Sequence, residues 1–190
     1  MIFVVLISWP GQVFGAEFSA DLILSGGGDK ETGKVFIKGN LRRTEIMENG
    51  EVAAISITRP DKGVTWNLMP EEKMYMEIPH SGDDTEDFKS WESRAKMKLL
   101  GKETVNGYKC EKRRYESDDK SEGPVIVWYS PKLDYPVKVH VLAYGGEDEM
   151  IVEYKNIKSG NVSDGTFEVP STYQKFSMPA GMPSIPGMGK

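Results

Sequence analysis

The sequence predicts a mainly β (α+β) protein, an antiparallel meander of about ten or eleven strands with one helix. Three observations predict it. Apolar and polar residues alternate at period two over most of the chain, the pattern of strands with one buried face. Turn signals punctuate the alternation at hairpin spacing, above all Asn49-Gly50 and Asn106-Gly107, which suit type I′ turns because both central residues take positive φ. Helical periodicity shows in one stretch only, residues 81–97.

The elements follow in order. Phe18, Ala20, Leu22 and Leu24 share one face of the first strand, and Gly26-Gly27-Gly28 ends it. Val35 and Ile37 flank Phe36 in the second, and residues 41–47 form the third after Gly39-Asn40. Asn49-Gly50 turns the chain into residues 52–58, and Pro60-Asp61-Lys62-Gly63 turns it again into Val64, Trp66 and Leu68. A further turn at Pro70-Glu71-Glu72-Lys73 leads to Met74, Met76 and Ile78. Within residues 81–97, Phe88, Trp91 and Ala95 fall at helical spacing behind a capping box of Asp83 and Glu86. The bland reading of that aromatic stripe is a plug for the end of the sheet. Strands resume at 99–105 and 108–115 around Asn106-Gly107, then at 125–129, 137–143 and 150–157. Residues 178–190 are too rich in Pro and Gly for helix or sheet and read as a flexible tail. Its Met178, Met182 and Met188 suit a soft metal, but no His or Cys accompanies them.

The first sixteen residues point to export. Residues 2–7 are apolar and uncharged, Pro10-Gly11 breaks the run, and Val13-Phe14-Gly15-Ala16 offers a small-residue cleavage site. The run is far shorter than the roughly 20 residues a membrane-spanning helix needs. No Lys or Arg follows Met1, so the true start is expected a few codons upstream. The expected division is a signal peptide at 1–16, a domain at 17–177 and the tail at 178–190. A single cysteine, Cys110, allows no intrachain disulfide and reads as a buried thiol. The net charge of −5, with scattered Lys and Arg, argues against nucleic acid.

Catalytic patterns are missing from the sequence. Its two histidines, His80 and His140, lack metal-ligand spacing, and no nucleophile elbow or phosphate loop occurs. Paired acids such as Asp83-Asp84 and Asp118-Asp119 sit in loops, where solvated charge explains them. The expectation is a protein that is not an enzyme, with no cofactor and no metal.

An ordered set of phrases carries a resemblance. Glu17-Phe18-Ser19-Ala20-Asp21 is followed by Gly33-Lys34-Val35-Phe36-Ile37-Lys38-Gly39 and Arg42-Arg43-Thr44-Glu45. Next come Ile57-Thr58-Arg59-Pro60-Asp61-Lys62, Trp66-Asn67-Leu68-Met69-Pro70 and Lys73-Met74-Tyr75-Met76-Glu77. Residues 100–108, Tyr135-Pro136-Val137-Lys138 and Phe167-Glu168-Val169-Pro170 complete it. In this order the chain resembles a family of exported bacterial domains of unknown function, themselves similar to LolA-like periplasmic lipoprotein carriers.

The resemblance implies a strongly curved antiparallel sheet, an unclosed half-barrel wrapped around one or more helices. It also implies a concave face that holds a lipid or the acyl chain of a lipoprotein, as in outer-membrane lipoprotein sorting. The expected cavity residues are Trp66, Met74, Met76, Phe88, Trp91 and Trp128. Arg42, Arg43 and Arg59 are the candidates for a polar latch on a lid backbone or for a head-group contact. The plainer reading pairs such arginines outward with Glu45 or Asp61. The expected partners are a lipid or acylated protein of the cell envelope, and the expected location is the periplasm. The alternative is an envelope protein-interaction or sensing module with a filled concave face and no lipid cargo.

Overall fold

The structure is a computed structural model that describes residues 15–79, 95–118, 123–142 and 149–176. The strands are β1 (Glu17–Gly26), β2 (Asp29–Lys38), β3 (Leu41–Glu48), β4 (Glu51–Arg59), β5 (Val64–Met69) and β6 (Met74–Pro79). After residue 94 come β7 (Lys96–Val105), β8 (Tyr108–Glu116), β9 (Val125–Ser130), β10 (Tyr135–Val141), β11 (Met150–Ser159) and β12 (Gln174–Lys175). They form one sheet in the order β12-β6-β5-β4-β3-β2-β1-β11-β10-β9-β8-β7. Two runs of hairpins are thus joined at the middle by β1 and β11, and the two ends of the sheet do not meet. Every pairing is antiparallel except β12 on β6.

The turn chemistry explains the hairpins. Asn49 and Gly50 have φ of 52° and 88°, and Asn106 and Gly107 have 49° and 84°, the left-handed pairs a type I′ turn requires.

The described sheet has twelve strands rather than ten or eleven. The additional one, β12, has two residues and no alternating pattern for sequence reading to detect; backbone bonds from Gln174 and Phe176 to Lys73 and Tyr75 create it. The expectation of a sheet wrapped around helices also needs correction. Among the described residues there is no α-helix, only two 3₁₀ turns, Pro60–Lys62 and Asp164–Phe167. Phe88 and Trp91 of the expected helix lie outside the described residues, as do residues 1–14 and the tail from 177. Residues 96 and 97, assigned to that stretch by sequence, instead open β7. Pairing of Lys96 with Glu116 and Met97 with Tyr115 outweighs their local helical spacing, because cross-strand partners decide strand formation.

The register sorts side chains onto two faces. One carries Phe18, Leu22, Val35, Ile37, Val137, Val139, Val152 and Tyr154, all buried in one core cluster. The sheet curls toward this face: Arg42 on β3 hydrogen-bonds Tyr154 on β11, three strands away. Strands spaced about 4.8 Å apart put those backbones some 14 Å from each other in a flat sheet, so curvature is what brings the side chains together. The opposite, convex face carries a second cluster, Ile55, Ile57, Trp66 and Leu68, under Val162 and Phe167 of the C-terminal segment.

Candidate functional site on the concave face

The concave face has two halves of different character. On β1, β2 and β9–β11 it is filled. The ring centroids of Phe18 lie 5.2 Å from Tyr135 and 6.3 Å from Tyr154, and those of Tyr135 and Tyr154 lie 6.0 Å apart. Arg42 stands at the margin of this cluster. Its Nε donates to Thr44 Oγ1 at 3.2 Å, and its guanidinium bonds Tyr154 beside Tyr135. Burial opposes the charge of Arg42, but the two phenols outweigh that and raise its pKa. Burial, with Tyr154 next to it, pushes the Tyr135 phenol up. The margin therefore holds a fixed positive charge.

On β4–β6 the same face is only partly buried. Thr58 pairs with Thr65, Ser56 with Asn67, and Thr65 with Ile78. Asn67 pairs with Met76 and Met69 with Met74. None of these side chains is buried. Their arrangement is a polar floor along Ser56, Thr58, Thr65 and Asn67, with an apolar wall of Met69, Met74, Met76 and Ile78 along the outer strands. Arg42, cross-strand from Thr58, separates this partly buried half from the filled one.

The convex face is closed by its own chain. Residues 160–176 cross β2–β5, and cations hold them there. Arg43 donates to the Thr166 carbonyl at 3.2 Å while pairing with Glu45 at 2.8 Å. Arg59 donates to the Phe167 carbonyl at 3.1 Å and pairs with Asp61 and Glu168. Lys62 reaches Glu168 at 2.9 Å, and Lys38 reaches Asp164 at 2.6 Å. Hydrogen bonding from Arg59 holds the Asp61 carboxyl below its usual range; Lys62 and then Arg59 do the same for Glu168.

A folded-state pKa below the unfolded one contributes stability that is present at neutral pH and lost as pH falls through the folded value. The C-terminal strap should therefore loosen below about pH 4, where carboxylates begin to protonate. Hydrogen exchange at residues 162–168 should accelerate there in the wild type. In Arg59→Met it should already be fast at neutral pH.

The sequence-predicted residues are distributed over both faces. Met74 and Met76 lie on the partly buried concave half. Trp66 lies on the convex face, buried in the core under the strap, and its Nε1 donates to Glu77 at 3.0 Å. Trp128 is also convex, bonded to Glu103 and flanked by Lys112 and Lys138 at 4.7 and 5.1 Å from its ring. Arg42 is concave, whereas Arg43 and Arg59 bind the strap. Met69 was not singled out from the sequence; its signal is parity, the last residue before the Pro70 turn facing Met74 after it.

Other reactive groups offer little chemistry. The Cys110 thiol is buried, which pushes its pKa up, and it donates to the Tyr108 carbonyl at 3.4 Å. His140 is paired with Glu149 at 2.8 Å. The Tyr129 phenol, half-buried and bonded to Asp134, is pushed up to about 12. No group of three His, Cys, Asp or Glu fit to hold a metal occurs among the described residues. An open groove of about 440 Å³ on the convex side is lined by Ser19, Ala20, Asp21, Lys34, Asn156 and Lys158 around Phe36, a mixed polar and apolar surface. Among the described residues no helix is long and apolar enough to cross a membrane.

Comparison with known proteins adds the family and the fold. The profile of a family described as Domain of unknown function (DUF4412) matches residues 22–134. No curated protein matches the sequence. Among solved structures, an uncharacterized conserved protein from Thermus thermophilus aligns with a TM-score of 0.62 at 12% identity, over 86% of this chain and 91% of that one. The Pseudomonas aeruginosa MucA/MucB complex aligns at 0.59 and 11% identity, over 82% of this chain and 56% of the chain matched. A LolA superfamily protein from Nitrosomonas europaea aligns at 0.41 and 13% identity, over 80% and 90%. At such identities the likeness is one of fold.

Proposed function

We propose a role for this chain, which belongs to the DUF4412 family of domains of unknown function, from the geometry of its concave face. It is an exported, periplasmic, non-enzymatic protein that binds a lipid or the acyl chain of a lipoprotein. One observation carries this reading: among the described residues the concave face is filled on β1, β2 and β9–β11 but only partly buried on β4–β6, where methionines line a strip of the sheet. Thioether side chains adapt to apolar ligands of varying shape. Arg42 at the inner margin places a positive charge where an acidic head group would lie. The resemblance of the sequence to LolA-like carriers agrees with it.

The chain secreted into a bacterial periplasm and purified without detergent should carry an adduct of lipid mass in native mass spectrometry. It should also take up a fluorescent fatty acid after organic extraction. Met76→Asp should weaken that uptake by at least tenfold, about 1.4 kcal/mol, because it sets a carboxylate against the acyl chain. Unchanged uptake in Met76→Asp would move the ligand off this strip, and a clean apo protein that takes up no probe would end the lipid reading.

A second reading, an envelope protein-interaction module, rests on β7. This strand lies at the end of the sheet, and Met97, Leu99 and Leu100 on it are 54%, 52% and 43% exposed. A strand edge that no other described strand covers can accept an extended segment of another protein. A component of the MucA/MucB complex shares the fold, which agrees with such a role.

A further inference from the structure

We propose that Met69, Met74 and Met76 form a thioether site for a soft monovalent cation, Cu(I) or Ag(I). The three residues come from both sides of the turn after β5, and the register places them together. Met69 is directly cross-strand from Met74, and Met76 is two residues further along the same face. Directly paired residues have Cβ atoms about 4.5–5.5 Å apart, and each thioether extends two bonds beyond Cβ. Three sulfurs can therefore converge on one ion above the sheet. Unhindered thioethers are ligands that select Cu(I) over harder ions.

The platform beneath them is held on both sides. β6 pairs with β5 along its whole length. On its other side β12 is anchored by Gln174 N–H to the Lys73 carbonyl at 2.9 Å and Phe176 N–H to the Tyr75 carbonyl at 2.7 Å. The Lys73 N–H closes the turn onto the Pro70 carbonyl at 3.3 Å. A ligand set on paired strands keeps its geometry better than one on a loop.

Placement separates this site from ordinary packing. Methionine is a filler of irregular cores, and the chain has ten of them. Neither buried core cluster contains one; both are built from Val, Ile, Leu, Ala, Cys and aromatic residues. The three methionines are instead only partly buried, on the less filled half of the concave face. Cys110, a stronger soft ligand, is shut away in the core at 1% exposure, so it does not compete.

The test is titration of the full chain with Ag(I), and with Cu(I) against a chromogenic chelator, while the methionine methyl resonances are followed by NMR. One equivalent should bind, and the methyl signals of Met69, Met74 and Met76 should shift together. Replacing each of the three by Leu keeps apolar volume and removes the sulfur. Each change should weaken binding at least about tenfold, the loss found even when a ligand's supporting partner is removed. Ag(I) binding and the methyl shifts are read with no lipid present, so failure of this site and failure of the lipid reading are distinguishable. A control with Met178, Met182 and Met188 changed to Leu should bind as the wild type does. Retained affinity in the triple variant, loss in the tail control, or no binding at all would each overturn the site.

Discussion

Phe167→Ala is expected to cost about 3–5 kcal/mol, the usual range for truncating a buried phenylalanine to alanine. Phe167 is 0% exposed and packs with Ile55, Ile57, Trp66, Leu68 and Val162. The 3₁₀ turn it belongs to has no α-helical hydrogen-bond ladder of its own, so this side chain and the arginines fix its position. Truncation leaves a cavity and removes the anchor that keeps the Phe167 carbonyl against Arg59. Urea unfolding should show a lower midpoint, and exchange should rise first at residues 162–168. Glu168→Ala, which removes a half-exposed carboxylate, should cost far less, because ion pairs near solvent are worth at most about 1 kcal/mol. Equal losses in the two variants would mean that charge rather than packing holds the strap.

Gly33→Ala should be nearly as damaging, by a different route. Gly33 sits in β2 opposite Ile46, and a Cβ there would come within 2.0 Å of the Glu45 carbonyl oxygen. No rotamer change relieves a clash with backbone, so β2 and β3 would have to separate. The cost should reach the upper end of the about 1–3 kcal/mol seen for overpacking. The break would fall between the filled half of the concave face and Arg42. A fluorescent fatty acid should therefore bind more weakly to this variant even where it remains folded. Wild-type stability in Gly33→Ala would show that the strands can part at little cost.

The sequence and the structure agree most closely where local chemistry suffices. Asn49-Gly50 and Asn106-Gly107 specify their hairpins because few other residue pairs tolerate positive φ at both positions. The alternation of Phe18, Ala20 and Leu22 marks one buried face, and the register confirms that they share it. Local pattern gives out at residues 96–97, where pairing with β8 prevails, and at β12, which is too short to have a pattern.

The candidate site shows the same division. Alternation puts Met74 and Met76 on one face of their strand, and only the register places that face on the same side as Arg42. The aromatic count made Trp66 and Trp128 look like companions of those methionines, yet both turn to the convex face. Each tryptophan is paired in register with a residue of that face, Trp66 with Glu77 and Trp128 with Lys138. Parity within one strand fixes which residues share a side; it does not say which side is concave. Arg42 and Arg43 are adjacent, so they face opposite ways, one toward Tyr154 and the other toward the Thr166 carbonyl.

By itself the sequence determined the β class, the hairpin turns and most strand positions, because these depend on residues within a few positions of one another, and the family, because the order of its phrases along the chain is itself sequence. Tertiary structure alone decided that β1 and β11 join the two hairpin runs, that residues 160–176 cover the convex side, and that the described concave side is filled on one half and only partly buried on β4–β6. Those features depend on strand register and sheet curvature, which relate residues more than a hundred positions apart, as Arg59 and Glu168 show. Period-two alternation carries no record of such distances.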